Sequence, residues 1–351
     1  MDKMNSCLKM KRKAEEETPF MKNGRLLLEE LIAFCNGKSN PIRVFSADDL
    51  RRATNNYDQS QRFFDSVDFD FYKGSLEDRL VTVKKYDKKS RFELEHIIKD
   101  IVVGSQMSVH QNVQKLIGCC LETKKPTLVY EFVGERNLFK CIRIPSTEAE
   151  RNDFKPLPWI CRLRIAMGIS NAIAYLHTSF SRPVIHRNVK PHTVILDENN
   201  VAKLIDFSLS ISIPEGQLHV ESEMCGTKGY VAPEYLHTRY ITEKIDVYGF
   251  GMFLLSLLAG RGLVLDGDQY DNEAFYLPYW LRSCVEQNQI IKAVDKAILE
   301  EGIDHKQFQD FAELVLRCIS ETAEDRPTMI DVGKQLRRIY ESVSTSFSLA
   351  N

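Results

Sequence analysis

The period of the apolar positions changes several times along the chain, and each change marks an element. From about Arg25 to Cys35, Leu27, Leu28, Leu31 and Phe34 recur at helical spacing, which predicts a short amphipathic helix with Gly37 as its terminator. Val81-Thr82-Val83-Lys84 and Val201-Ala202-Lys203-Leu204-Ile205 are short, mostly apolar runs that suit strands. The longest nearly apolar run, around Phe250 to Ala259, is far below the ~20 residues of a membrane span, so it predicts a buried core helix. Residues 1–22 are polar and charge-rich and read as a solvated tail. Ile144-Pro145-Ser146 through Pro156-Leu157-Pro158 is a polar, proline-flanked loop, and there are no internal repeats.

Composition narrows the class. A chain of 351 residues, 43% hydrophobic and 27% charged, buries a large core. A net charge of -2 argues against a nucleic-acid partner. Nine cysteines without a C-x-x-C pair, two of them adjacent as Cys119-Cys120, form neither a disulfide framework nor a zinc site. Met1-Asp2 lacks the glycine that N-myristoylation requires. Cys7 beside Lys9, Lys11, Arg12 and Lys13 offers at most a peripheral membrane contact.

The candidate chemistry centres on His186-Arg187-Asn188, followed by Val189-Lys190-Pro191 and Thr193. This resembles the protein-kinase catalytic loop H-R-D-L-x-x-x-N, in which the Asp accepts the substrate hydroxyl proton and the last Asn holds Mg²⁺. Here Asn188 stands at the base position and Thr193 at the metal position. A carboxamide is no base at neutral pH, and a hydroxyl is a poor ligand for a hard cation, so no catalytic residue is intact. Asp206-Phe207-Ser208 stands for D-F-G, and Ala232-Pro233-Glu234 for A-P-E. Asp246-Val247-Tyr248-Gly249-Phe250-Gly251 and Asp325-Arg326-Pro327 resemble later motifs, with Arg326 expected to pair with Glu234. Arg187, Glu234, Asp246 and Arg326 are therefore read as structural.

In the N-terminal half, Lys84 resembles the nucleotide-pairing lysine of V-A-I-K. Its helix partner falls on Asp100 or, counted back from His110, on Ile101; Asp100 is the better match. The segment Phe63 to Gly74 replaces the glycine-rich loop with rings and three carboxylates, which predicts steric and electrostatic weakening of phosphate binding. Lys84, Lys190 and Asp206 are residual nucleotide-binding candidates, and Asp206 is a residual metal ligand. Each has a plainer reading as a group paired within the protein. Ser208, Ser210, Ser212, Ser222 and Thr227 are candidate modification sites.

The chain resembles plant receptor-like cytoplasmic kinases and, among them, the ZED-related pseudokinases. Phe45-Ser46 with Ala53-Thr54-Asn55-Asn56-Tyr57, Leu116-Ile117-Gly118-Cys119-Cys120 and Leu128-Val129-Tyr130-Glu131-Phe132 carry the likeness. Asn23-Gly24-Arg25-Leu26-Leu27-Leu28-Glu29-Glu30 is similar to the juxtamembrane part of wall-associated kinases. The resemblance implies an α+β, bilobal fold. An extension over 1–43 precedes a kinase-like domain over 44–343, with an N-lobe at about 44–130, a C-lobe at about 137–343 and a tail over 344–351. It also implies an adaptor in plant immunity that docks on a coiled-coil NLR immune receptor. Such an adaptor senses pathogen effectors or modified receptor-like cytoplasmic kinases, in the cytoplasm or at the plasma membrane through the receptor complex. That role requires no cofactor. The alternative implied is a slow Ser/Thr kinase that binds ATP and Mg²⁺ weakly through Lys84 and Asp206.

Overall fold

The computed structural model describes residues 17–35, 41–87, 89–142, 155–260 and 277–349. Cys7, the Lys9–Lys13 stretch, Gly37 and most of the 144–158 loop lie outside them. The first helix, α1 (Pro19–Cys35), starts six residues before the expected Arg25. Its start is set by Thr18, whose hydroxyl accepts from Met21 N, and by Pro19, whose missing N–H is no loss at a helix start. Leu27 is buried and Leu31 and Phe34 are half-buried, but Leu28, expected on the apolar face, is 60% exposed. Buried Asn23 takes the place on that face which Leu28 was expected to share.

The N-lobe is a six-stranded sheet in the order β1-β5-β6-β4-β3-β2. Its strands are β1 (Arg43–Val44), β2 (Arg62–Asp65), β3 (Phe69–Leu76), β4 (Arg79–Tyr86), β5 (Leu116–Cys120) and β6 (Thr127–Glu131). Helix α2 (Ala47–Ala53) follows β1 and opens with a reciprocal capping box between Ser46 and Asp49. Parallel pairing of β1 with β5 brings Arg43 O against Gly118, where a Cβ would sit 2.1 Å from that oxygen. Only glycine allows that approach. Helix α3 (Leu94–Met107) packs on the sheet through Ile97, Ile98, Ile101 and Val102.

The C-lobe is helical. After β7 (Arg136–Asn137) come α4 (Leu138–Ile142), α5 (Trp159–Thr178), α6 (Pro233–Thr238), α7 (Glu243–Ala259), α8 (Leu277–Glu286), α9 (Lys296–Leu299), α10 (His305–Cys318) and α11 (Met329–Leu349). The last runs without a break past residue 343. Short strands β8 (Val184–Ile185), β9 (Val194–Leu196), β10 (Ala202–Leu204) and β11 (Ile211–Ser212) carry the catalytic-loop and Asp206 segments between them. Helix α7 is buried from Ile245 to Ala259, so it is apolar on all sides and forms the lobe's centre. It opens with Thr242 capping Lys244 N and ends in a left-handed Gly260. No described helix is long and apolar enough to cross a membrane.

Candidate functional site

Register brings the site together. Lys84 on β4 lies opposite Phe71 on β3, and Tyr86 lies opposite Phe69, so these four side chains share one face of the sheet, towards α3. Lys84 is 0% exposed there. Its ammonium donates to Asp100 Oδ2 on α3 at 2.7 Å and to Asp206 Oδ1 at 2.8 Å, and sits 3.8 Å from the Phe69 ring centroid. Asp100 is thus the partner, the shorter side chain reaching because α3 packs close; Ile101 points into the core. Asp100 also accepts from Tyr86 Oη at 2.8 Å and from Phe207 N at 2.7 Å. Burial by itself would lower the Lys84 pKa, but the two carboxylates more than offset it and leave it raised. Burial would raise Asp206, yet Lys84 holds it below the usual carboxylate range.

Asp206 meets both Lys84 and Ser208 through one oxygen, Oδ1. The oxygen that meets Lys84 also accepts from Ser208 Oγ at 2.7 Å, so the residue replacing the D-F-G glycine ties the carboxylate inward. Thr193 donates to Asn188 O and Lys190 O, turning its hydroxyl into loop structure. This arrangement fits a nucleotide–Mg²⁺ pair poorly: Lys84 is enclosed and the Thr193 hydroxyl is engaged in the loop, while Asp206 keeps only Oδ2 outside these bonds. A cavity of about 1090 Å³ lies elsewhere, between His96 at the start of α3, Met224 and Lys228 of the 209–232 segment, and Tyr279 on α8.

The segment expected to weaken phosphate binding both sterically and by charge shows the steric part plainly. Phe64, Phe69 and Phe71 pack with ring centroids 5.3–5.9 Å apart, against Tyr86 and Tyr130. Of the carboxylates, Asp68 turns away to Arg91 at 3.0 Å and Asp70 to Arg62 at 3.4 Å, so their charge is spent locally. The expected rings thus line the face of the sheet that bears Lys84, while Asp68 and Asp70 face arginines. The alternation Phe69-x-Phe71 opposite Tyr86 and Lys84 carried that information, since it places the rings on the lysine's face.

On the C-lobe side, buried Asp246 accepts from the backbone N–H of His186 and Arg187, both at 2.8 Å, and contacts His177 Nε2 at 2.9 Å. This holds Arg187 in a left-handed conformation, φ 68°. Arg187 then donates to Glu223 O at 2.8 Å, and its guanidinium lies 3.4 Å from Ser222 Oγ. Thr227 Oγ1 accepts from Lys190 Nζ at 2.6 Å and donates to Asn188 Oδ1 at 2.8 Å. The amide at the base position is thereby occupied by the chain's own hydroxyl. Arg326 grips Glu234 with both guanidinium nitrogens, at 2.6 and 2.7 Å.

Two of the expected modification sites do not stand. Ser208 is 0% exposed and Ser210 2%, so neither hydroxyl is accessible to an enzyme in the folded chain. Ser212 lies on β11, half-buried, and Ser222 and Thr227 are half-buried on the segment that follows.

Residues 72–336 match the family model described as protein kinase domain, in keeping with the two-lobed geometry. The chain belongs to the protein kinase family. It is similar to three Arabidopsis thaliana proteins over nearly their whole lengths. It is 39% identical to the non-functional pseudokinase ZED1 over 91% of this chain and 95% of that protein. It is 38% identical to the serine/threonine-protein kinase ZRK1 over 96% of each, and 37% to the non-functional pseudokinase ZRK2 over 93% and 90%. The ZED-related kinases therefore include members named as active and members named as inactive, and the residues around Lys84 must carry the argument for this one.

A pH dependence follows from the loop over residues 186–193. His192 stacks on Phe139 at 3.8 Å, its Nδ1 is buried without a partner among the described residues, and burial, then Lys190, lowers its pKa to about 4. The unfolded chain takes up this proton near its ordinary 6.5 while the folded one does not. Stability therefore falls as pH drops from 6.5 towards 4, at roughly 1.4 kcal/mol per pH unit for this group. Urea unfolding at pH 7 and pH 5 should differ by about 2 kcal/mol more in the unsubstituted protein than in His192→Gln. An equal loss in both would remove His192 from the account.

Proposed function

We propose that this chain is a non-catalytic member of its family, an adaptor whose work is binding rather than phosphate transfer. The observation that carries this reading is the Lys84 cage: the ammonium is enclosed by Asp100, Asp206 and Phe69 with no exposed surface. Asn188 in place of the base supports it. The adaptor docks on a coiled-coil NLR immune receptor in the cytoplasm and reports pathogen effectors or a modified receptor-like cytoplasmic kinase. Its likeness to ZED1 and ZRK2, both named non-functional pseudokinases, supports the class.

A second reading is a slow Ser/Thr kinase. The assembled Lys84–Asp100 pair and the intact Glu234–Arg326 grip favour it, as does the active-kinase name of ZRK1.

Calorimetric titration with ATP to millimolar concentration, with and without Mg²⁺, separates the two. No heat is expected, and Asn188→Asp is expected to leave phosphotransfer undetectable because the lysine stays enclosed. Magnesium-dependent binding would show that Lys84 and Asp206 still form a pocket, with nucleotide either a regulatory ligand or a slow substrate, and a large rate in Asn188→Asp would show an otherwise assembled site. Either result would remove the enclosed lysine as the ground for the adaptor reading. Co-purification with a coiled-coil NLR receptor tests the partner; its failure with every such receptor offered would sink the docking proposal.

A further inference from the structure

We infer that α1 is a strap joining the two lobes, and that it holds α3 against the Lys84 cage without any nucleotide. Three anchors lie along one helix. At its N-terminal end, the buried amide of Asn23 donates to Leu121 O at 2.8 Å and Thr123 O at 2.9 Å, in the turn between β5 and β6. In its middle, Leu27 is buried in the same cluster as Ile97, Ile98 and Ile101 of α3, with Leu26 and Leu31 packed beside it. At its C-terminal end, Phe34 packs against the cores of both lobes. Its ring lies 5.4 Å from Phe180, which meets Tyr175 of α5 at 5.9 Å. Arg182, between α5 and β8, donates to Ala33 O at 2.6 Å.

Asn23 and Phe34 are eleven residues apart, or about 17 Å of helix at 1.5 Å per residue. A helix of that length is a stiff rod, so anchoring one end on the N-lobe turn and the other on the C-lobe fixes the angle between lobes. Helix α3 is trapped between this rod and the sheet face that bears Lys84. A kinase cleft usually closes around its nucleotide; here the strap and the ion cage supply the closure from the chain itself. The device stands whether or not the protein transfers phosphate, because it concerns the lobes and not the chemistry.

Amide hydrogen exchange on the full chain tests it. In Phe34→Ala, exchange across residues 94–107 should rise at least tenfold, with a smaller rise in Arg182→Ala, while residues 245–259 at the centre of the C-lobe keep their rates. Leu28→Ala, on the outward face, should change neither segment. Rates over 94–107 within twofold of the unsubstituted chain in Phe34→Ala would overturn the strap. So would an equal rise over 245–259, which would make Phe34 an ordinary core residue. If Phe34→Ala does not fold, Arg182→Ala decides, since it removes one hydrogen bond at the surface: a rise confined to 94–107 supports the strap and an unchanged profile refutes it.

Discussion

Lys84→Met should destabilise this protein by about 3–5 kcal/mol, because it leaves Asp100 and Asp206 buried without their cation. For a chain of this size that corresponds to a fall in Tm of roughly 4–7 °C. The contrast with an open kinase site is the point: replacing a solvated lysine changes stability by roughly 0.5 kcal/mol or less. The pH of the measurement is easily chosen. Asp206 has a lowered pKa, so its contribution is present above the carboxylate's ordinary 3.8 and is lost as pH falls through the folded value. Lys84 has a raised pKa, so its contribution is present below 10.5 and is lost as pH rises through the folded value. At pH 7 the cage is at full strength. Adding Asp100→Asn and Asp206→Asn to Lys84→Met should recover part of the loss, since the stranded charges are then gone. A Tm for Lys84→Met within about 1 °C of the unsubstituted protein would mean that the ammonium is solvated, and the cage would fall with it.

Phe69→Ala should cost about 3–5 kcal/mol, a typical figure for removing a buried aromatic ring. The loss combines the packing of Phe69 against Phe64, Phe71 and Tyr86 with its face over the Lys84 ammonium. The site left behind is an apolar hole against the cleft. Such holes take up small arenes, so benzene or indole at millimolar concentration should raise the Tm of Phe69→Ala and leave the unsubstituted protein unchanged. A loss under about 1 kcal/mol would show that the ring is not closely packed.

The motifs that close the C-lobe were legible because each couples residues of fixed chemical type. Asp246 needs two backbone N–H groups and Arg326 needs a carboxylate, and such pairings leave little freedom in sequence. The loss of the base at Asn188 was equally plain, since an amide has one chemistry wherever it stands. The N-terminal half was harder to read. Leu28 and Leu27 are adjacent and alike in sequence, and only the docking of α1 on α3 decides that one is buried and the other exposed. Ser208 and Ser210 look like loop hydroxyls until the chain folds back over them.

The carboxylates of the 63–74 segment mark the same boundary. Charge was visible, but the partners that neutralise it, Arg91 for Asp68 and Arg62 for Asp70, are chosen by three-dimensional proximity. The sequence by itself determined the family, the two-lobed fold and the asparagine at the base position, because those depend on residue types at short, ordered spacings. Tertiary structure decided that Lys84 is caged and that α1 spans the lobes. Those outcomes depend on residues 16 to 149 positions apart, such as Lys84 with Asp100 and Ala33 with Arg182, meeting at hydrogen-bond distance. A pairing of that reach exists only once packing has brought the segments together.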